Sequence, residues 1–272
     1  MTYEVKVIAK SRHVSNTGAT LVTVQVRYPR FIHSELMTHR VLSRNASSSR
    51  AIPVKKMLSQ VWNNPAQPLH WGKNMPGMQA NEQLTGWRLA AAKALWNLGG
   101  KTMCGLVWLI DKLGGHKQWA NRLLEPWQYI SVIITATDWD NFYELRRHKD
   151  AQPEFHALAD DIYDAVEAAP AMLLHTGEWH LPYITKDERD AHPLTKLLAM
   201  SAARCARVSY LTHDGLVPSV EADLKLFDRL VGSEPRHSSP IEHQATPCLA
   251  AQSGNFRDWT QYRKLYEQQV GA

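Results

Sequence analysis

The sequence predicts an α+β fold, and three observations carry that expectation. Between Thr20 and Tyr28, apolar Val22, Val24, Val26 and Tyr28 alternate with Thr23, Gln25 and Arg27, the period of a strand with one face on a core. After Pro29 the period changes, and Phe31, Ile32, Glu35, Leu36 and His39 fall at helical spacing. No internal repeat or low-complexity linker divides the 272 residues, so a single domain over 1–272 is expected.

The elements follow in order. The first 28 residues read as two strands joined through Ser15-Asn16-Thr17-Gly18, which supplies turn residues. A helical segment over residues 31–42 leads into Ser43-Arg44-Asn45-Ala46-Ser47-Ser48-Ser49-Arg50, too polar to bury itself and expected as a ligand-approaching loop. Pro53 opens a short helix to Val61. Residues 63–78 are expected to be irregular, with a turn at Trp71-Gly72-Lys73-Asn74-Met75-Pro76-Gly77. Residues 80–124 read as helical with breaks at Gly99-Gly100 and Gly114-Gly115, and residues 127–136 as a buried strand. Thr137-Asp138-Trp139-Asp140 resembles a helix start, and helices continue to about Ala169. Residues 170–192 are expected to be irregular. Pro193 and Ser219 each open a helix, to about Tyr210 and to Val231, and residues 233–255 read as loop plus a short strand.

Composition narrows the class. Hydrophobic residues make up 44% and charged residues 21%, which excludes wholesale disorder. The net charge of +5 suits an anionic ligand or weak nucleic-acid contact and decides neither. Cys104, Cys205 and Cys248 lie far apart without a CxxC pair, so neither a disulfide framework nor a cysteine zinc site is expected. The N-terminus has no apolar signal region, and the longest apolar run, residues 104–110, is too short to cross a bilayer. A soluble cytoplasmic protein is the resulting expectation. Neither GxGxxG nor GxxxxGK[ST] is present.

Three stretches carry chemistry. From Thr38 to Arg50, three arginines, a histidine, an asparagine and four serines crowd together. Guanidinium forks and hydroxyls are what phosphate oxygens need, although a solvated loop has the same composition. Asn141-Phe142-Tyr143-Glu144-Leu145-Arg146-Arg147, followed by Ala151-Gln152-Pro153-Glu154, could read the imide edge of a pyrimidine or flavin, or be a plain surface helix. Arg236-His237-Ser238-Ser239-Pro240-Ile241-Glu242-His243 invites a metal reading, but Pro240 denies it regular ligand spacing, so a ligand-shaping loop is preferred and no metal is expected.

Together these stretches resemble the flavin-dependent thymidylate synthase family. Its R-H-R-x-x-S-x-N-E-x-S-x-R motif corresponds to Thr38 through Arg50, with Thr38 for the first arginine and Ala46 for the acid. A second block corresponds to Arg122, Pro126, Asn141 to Arg146 and Ala151 to Glu154, with Asp150 at a family histidine. A third, A-R-V-S then H-x-[ST]-P-x-E-H, corresponds to Ala206 to Ser209 and His237 to His243. That third block precedes the others in the usual family member, so the resemblance implies a circular permutation, which a site assembled in three dimensions tolerates.

The resemblance implies a curved antiparallel sheet with packed helices, and a homotetramer whose sites are shared between subunits. It implies reductive methylation of dUMP at C5 to dTMP, with FAD as cofactor and NADPH and methylenetetrahydrofolate as co-substrates. Arg146 would be catalytic. Ser48, Ser49, Arg50, Arg122 and Arg146 would bind dUMP. His39, Arg40, Val41, Asn45, Asn141, Leu145, Ser209, His237, Ser239 and Glu242 would contact FAD. Two alternatives stand: methylation or hydroxymethylation of another pyrimidine deoxynucleotide, and a non-catalytic nucleic-acid-binding protein on the same fold. Neither a membrane nor nucleic acid is an expected partner of the enzyme.

Overall fold

The computed structural model describes residues 3–208 and 215–271. Strand β1 (Glu4–His13) turns back as β2 (Leu21–Pro29), antiparallel, with Glu4 opposite Arg27 and Ser11 opposite Leu21. Helix α1 (His33–Leu36) and strand β3 (Ser43–Ala46) precede α2 (Val54–Asn63), α3 (Gly86–Lys112) and α4 (Lys117–Ala120). Then come β4 (Tyr129–Ala136), α5 (Asp140–Arg146), α6 (Pro153–Ala168), β5 (Met172–Leu174) and α7 (Lys186–Ala191). The chain continues with α8 (Leu194–Arg207), α9 (Val220–Leu230), β6 (Ala245–Ser253), β7 (Phe256–Gln261) and α10 (Tyr262–Val270).

Five strands form one sheet in the order β3-β4-β2-β1-β5, antiparallel except for the β1–β5 pair. Strands β6 and β7 form a separate hairpin. The expected alternation places Val22, Val24, Val26 and Tyr28 on one face, where Ile130, Val132 and Ile134 of β4 and Phe155, Leu158 and Ile162 of α6 close the main core. Each such side chain, fully buried, contributes about 1.5–3 kcal/mol by leaving water.

The alternating Thr23, Gln25 and Arg27 suggest polar surroundings for the opposite face, but that face is covered. Leu21 packs with Phe256 and Trp259, and Ile133 packs with Cys205 and Val208, so the C-terminal third covers this side. The polar residues there are paired instead. Ser11 Oγ lies 2.8 Å from His180 Nδ1, and His180 Nε2 lies 2.8 Å from Thr23 Oγ1. Thr23 meets Thr135 at 2.7 Å, and Thr135 meets His243 Nδ1 at 2.8 Å. All five groups are buried, and burial pushes the pKa of both histidines down to about 3, so they are neutral.

Five further expectations change. The helix over 31–42 shrinks to a 3-10 turn and α1, because Arg44 Nη1 caps the carbonyls of Leu36 and His39 at 2.8 Å each. The polar stretch from Ser43 begins as a strand, since its backbone pairs with β4 whatever its side chains are (Ser43 opposite Thr135). Helix α3 runs unbroken through Gly99-Gly100. The missing Cβ atoms make room for Trp127, whose ring an added Cβ would meet at 3.0 Å, and Trp127 Nε1 donates to the Trp96 carbonyl. Within residues 170–192 lie β5 and α7, the latter closed by a Thr185–Glu188 capping box. At α5, Thr137 does not cap; its hydroxyl donates to Asp138 and Trp139 holds the N-cap.

Candidate active site

The segment from α1 to β3 touches two clefts. The larger, of about 960 Å³, is lined by Glu35, His70, Leu145, Arg146, Lys149 and Asp150 among others. Its focus is Arg146, at the last turn of α5 and mostly covered. Arg146 Nε donates to His39 Nε2 at 2.9 Å, and Nη1 donates to Glu35 Oε2 at 2.7 Å. Its Nη2 reaches the Glu35 carbonyl and Thr38 Oγ1, each at 3.3 Å. The guanidinium also lies over the Phe155 ring, 4.6 Å from its centroid. Four hydrogen bonds and a ring therefore fix one cation at the rim of the cleft.

His39 is neutral in this arrangement. Burial, reinforced by Arg146 and Arg44, pushes its pKa down to about 4. Its Nε2 accepts from Arg146, so the ring proton sits on Nδ1. The ring packs edge-on against Phe142, 5.2 Å away.

The second cleft, of about 380 Å³, is lined by Arg40, Arg44, Glu242, Asn255, Gln261, Arg263 and Lys264 together with Met37, Leu42 and Gly254. Glu242 accepts from Arg263. Asn45, with its amide nitrogen turned toward Ser239, donates to the Ser239 carbonyl and hydroxyl at 3.3 and 3.1 Å. This contact joins the first and third sequence blocks across some two hundred residues of chain.

A third cluster surrounds Glu125. Arg30 pairs with it at 3.0 Å, Arg122 at 3.5 Å, and the buried Ser49 donates to it at 3.4 Å. Asn121 Nδ2 holds the Ser49 carbonyl at 2.8 Å, and Ser48 Oγ accepts from the Arg50 amide at 3.3 Å. Arg50 and Arg122 are exposed.

The site residues named from sequence thus fall into groups. His39, Leu145 and Arg146 come together, as do Arg40 and Glu242, Asn45 and Ser239, and the Ser48-Ser49-Arg50-Arg122 set. Arg50 lines neither cleft, and Arg146 and Glu242 line different ones. Asn141, Val41 and His237 are exposed; the Val41 carbonyl accepts from Asn255. Ser209 lies outside the described residues. Sequence reasoning missed Glu35, Arg263 and Lys264. In the sequence Glu35 is only one of the residues at helical spacing after Pro29, and its place four residues before His39 is the one hint of a site role.

An α+β fold that clamps an arginine at the end of α5 in one cleft and gathers cations in another defines a binding protein for anionic, hydrogen-bonding ligands. The Thy1 family, described as thymidylate synthase complementing protein, matches residues 3–171. The chain belongs to this family, that of the flavin-dependent thymidylate synthases, and is an enzyme of that methyltransferase class. The matched region holds the first two sequence blocks and ends before the third. No curated protein sequence matches the chain. Among solved structures, a UMP/dUMP methylase PolB from Streptomyces cacaoi, bound with 5-Br UMP, aligns at 16% identity over 61% of this chain and 88% of its own, with a TM-score of 0.49. Thymidylate Synthase X from Helicobacter pylori, with FAD and dUMP, aligns at 14% identity over 54% and 67%, with a TM-score of 0.39.

Proposed function

We propose that the chain catalyses FAD-dependent reductive methylation of dUMP at C5 to dTMP, with methylenetetrahydrofolate and NADPH as co-substrates. The observation that carries this reading is Arg146, held by His39 and Glu35 at the rim of the larger cleft. A fixed cation there faces the carbonyl of a bound pyrimidine and stabilises negative charge as C5 becomes nucleophilic. It needs no reorganisation, because neighbours already hold its geometry.

The donor set fits FAD. Arg40, Arg44, Arg263 and Lys264 crowd one polar cleft, and Glu242, Asn255 and Gln261 line it with acceptors and donors. Arg40 and Glu242 would hold the cofactor in that cleft, near the Asn45–Ser239 pair, while Leu145 lines the neighbouring cleft and His39 reaches it only through Arg146. When bound, FAD would supply the reducing power for the methylation, so no protein nucleophile is required. Ser48 serves as a nucleotide-binding hydroxyl, and Arg50 and Arg122 clamp the dUMP phosphate with Ser49 beneath them.

The separation of those arginines from Arg146 within one chain supports a homotetramer with shared sites, in which one subunit's phosphate clamp serves another's Arg146 cleft. Exposed Trp87, Leu95, Leu98, Trp108 and Leu113 of the α3 region offer apolar surface for such an assembly.

One observation favours a second reading. Glu35 is an acceptor-only group beside Arg146. A carboxylate facing the 4-position attracts the amino group of cytosine and repels the O4 of uracil. Glu35→Gln is then expected to raise turnover of dUMP relative to dCMP, and an unchanged ratio removes this reading.

The main proposal is tested anaerobically. FAD-loaded enzyme reduced with NADPH is expected to regain its flavin absorbance only when dUMP and methylenetetrahydrofolate are both added. Recovery with neither present, or no recovery with both, contradicts it.

A further inference from the structure

The second cleft contains a feature that the family match does not reach. Its walls come from two distant parts of the chain. Arg40 and Arg44 lie in the matched region, whereas Arg263 and Lys264 begin α10, far beyond residue 171.

The C-terminal hairpin is stapled to the first motif. Asn255 Nδ2 donates to the Val41 carbonyl at 2.7 Å and to Ser43 Oγ at 3.1 Å. Gln261 Nε2 donates to the Glu242 carbonyl at 3.0 Å and to Asn255 Oδ1 at 3.2 Å. Arg257 pairs with Asp138 at 2.7 Å. Gly254 turns the hairpin at a φ of +63°, where an added Cβ would sit 2.6 Å from Gln261 Oε1. These contacts hold the start of α10 over the cleft.

Charge then accumulates there. Arg263 meets Glu242 and Glu267, and Lys264 meets Glu267 at 3.1 Å. Arg44 spends its hydrogen bonds on two backbone carbonyls, which carry no net charge. Four cations against two carboxylates leave positive charge in excess in a polar cleft of about 380 Å³. That volume is at the low end of ligand pockets, roughly 300–1,000 Å³, and suits the charged middle of a larger ligand. Thr38, which stands where the motif resembled above has an arginine, leaves that segment one cation short.

We infer that Arg263 and Lys264, presented by the C-terminal hairpin and α10, complete with Arg40 and Arg44 a subsite for the diphosphate of a dinucleotide. FAD and NADPH share this group. The inference rests on the proposed flavin chemistry only for which of them arrives.

The test uses the full chain and measures binding. Dissociation constants are determined for FAD, riboflavin, NADPH and inorganic pyrophosphate with the wild type, Lys264→Gln and Arg263→Gln. Because Arg263 also ties α10 to Glu242, Lys264→Gln carries the test if Arg263→Gln fails to fold; thermal unfolding monitors both. The variants are expected to weaken pyrophosphate and one dinucleotide by roughly tenfold, the scale of one charge-assisted contact, and to leave riboflavin unchanged. Weakened FAD with unchanged NADPH assigns the subsite to the flavin, and the reverse assigns it to the nicotinamide dinucleotide. A wild type that binds no flavin but loses pyrophosphate affinity on Lys264→Gln supports the subsite and overturns the proposed function. Unchanged affinities for pyrophosphate and both dinucleotides overturn the subsite, whatever the enzyme's activity.

Discussion

Arg146 donates from Nε to His39 Nε2 across 2.9 Å, linking the end of α5 to the segment between α1 and β3. The bond exists only while His39 is neutral, since a protonated ring has no acceptor to offer. Burial comes first among the causes that push the His39 pKa down to about 4, and Arg146 itself is the second. An NMR titration is therefore expected to place His39 near pH 4, and Arg146→Gln to raise that midpoint part of the way toward 6.5. A midpoint near 6.5 in the wild type shows that the contact is not made.

Arg146 is expected to act on the rate. Arg146→Ala should lower kcat by about 10²–10³, the loss seen when one preorganised charge-stabilising donor is removed. Arg146→Lys should recover little, because an ammonium cannot reach His39, Glu35 and Thr38 at once. Steady-state kinetics with FAD at saturation decides this, and normal turnover by either variant removes Arg146 from the chemical step.

The phosphate clamp is expected to act on binding. Arg50→Ala and Arg122→Ala should each raise the KM for dUMP by roughly tenfold, the scale of one charge-assisted contact. The effect should fade when deoxyuridine replaces dUMP, since the variant then lacks nothing the ligand could use. Equal losses with both substrates place these arginines elsewhere.

The buried histidines set an acid limit on stability. His180 and His243 have folded pKa values near 3 against an ordinary 6.5, burial being the main cause. The unfolded chain therefore binds more protons between those values, so stability is complete above about pH 6.5 and falls as the pH drops toward 3. Thermal unfolding across pH 4–8 is expected to show this slope, and His180→Gln to flatten it while lowering stability at pH 7. A slope unaffected by His180→Gln assigns the acid sensitivity to other groups.

Much of this architecture was legible in particular residues. The β1–β2 hairpin announced itself through the valine alternation and the Ser15–Gly18 turn, and α2 through Pro53. Strand β3 did not, because an edge strand of Ser, Arg, Asn and Ala is made by backbone pairing with β4, which side-chain polarity conceals. The glycines of α3 read as a break because their use, space for Trp127, is a tertiary fact. His39 and Arg146 were legible as motif residues, whereas Glu35 and Lys264 look like solvated charges until folding brings them to a cleft. The separation of Arg50 from Arg146 is invisible to spacing altogether, since it depends on which way β3 and the Glu125 cluster face.

Methylation of a uracil monophosphate in the Arg146 cleft leaves a product whose mass identifies it. The most direct measurement is the mass of the nucleotide formed when reduced, FAD-loaded enzyme meets equimolar dUMP and dCMP with methylenetetrahydrofolate. The expected result is a single product one methylene heavier than dUMP, formed about 10²–10³ more slowly by Arg146→Ala. A product derived from dCMP, a product one hydroxymethyl group heavier, or undiminished product from the variant would contradict it.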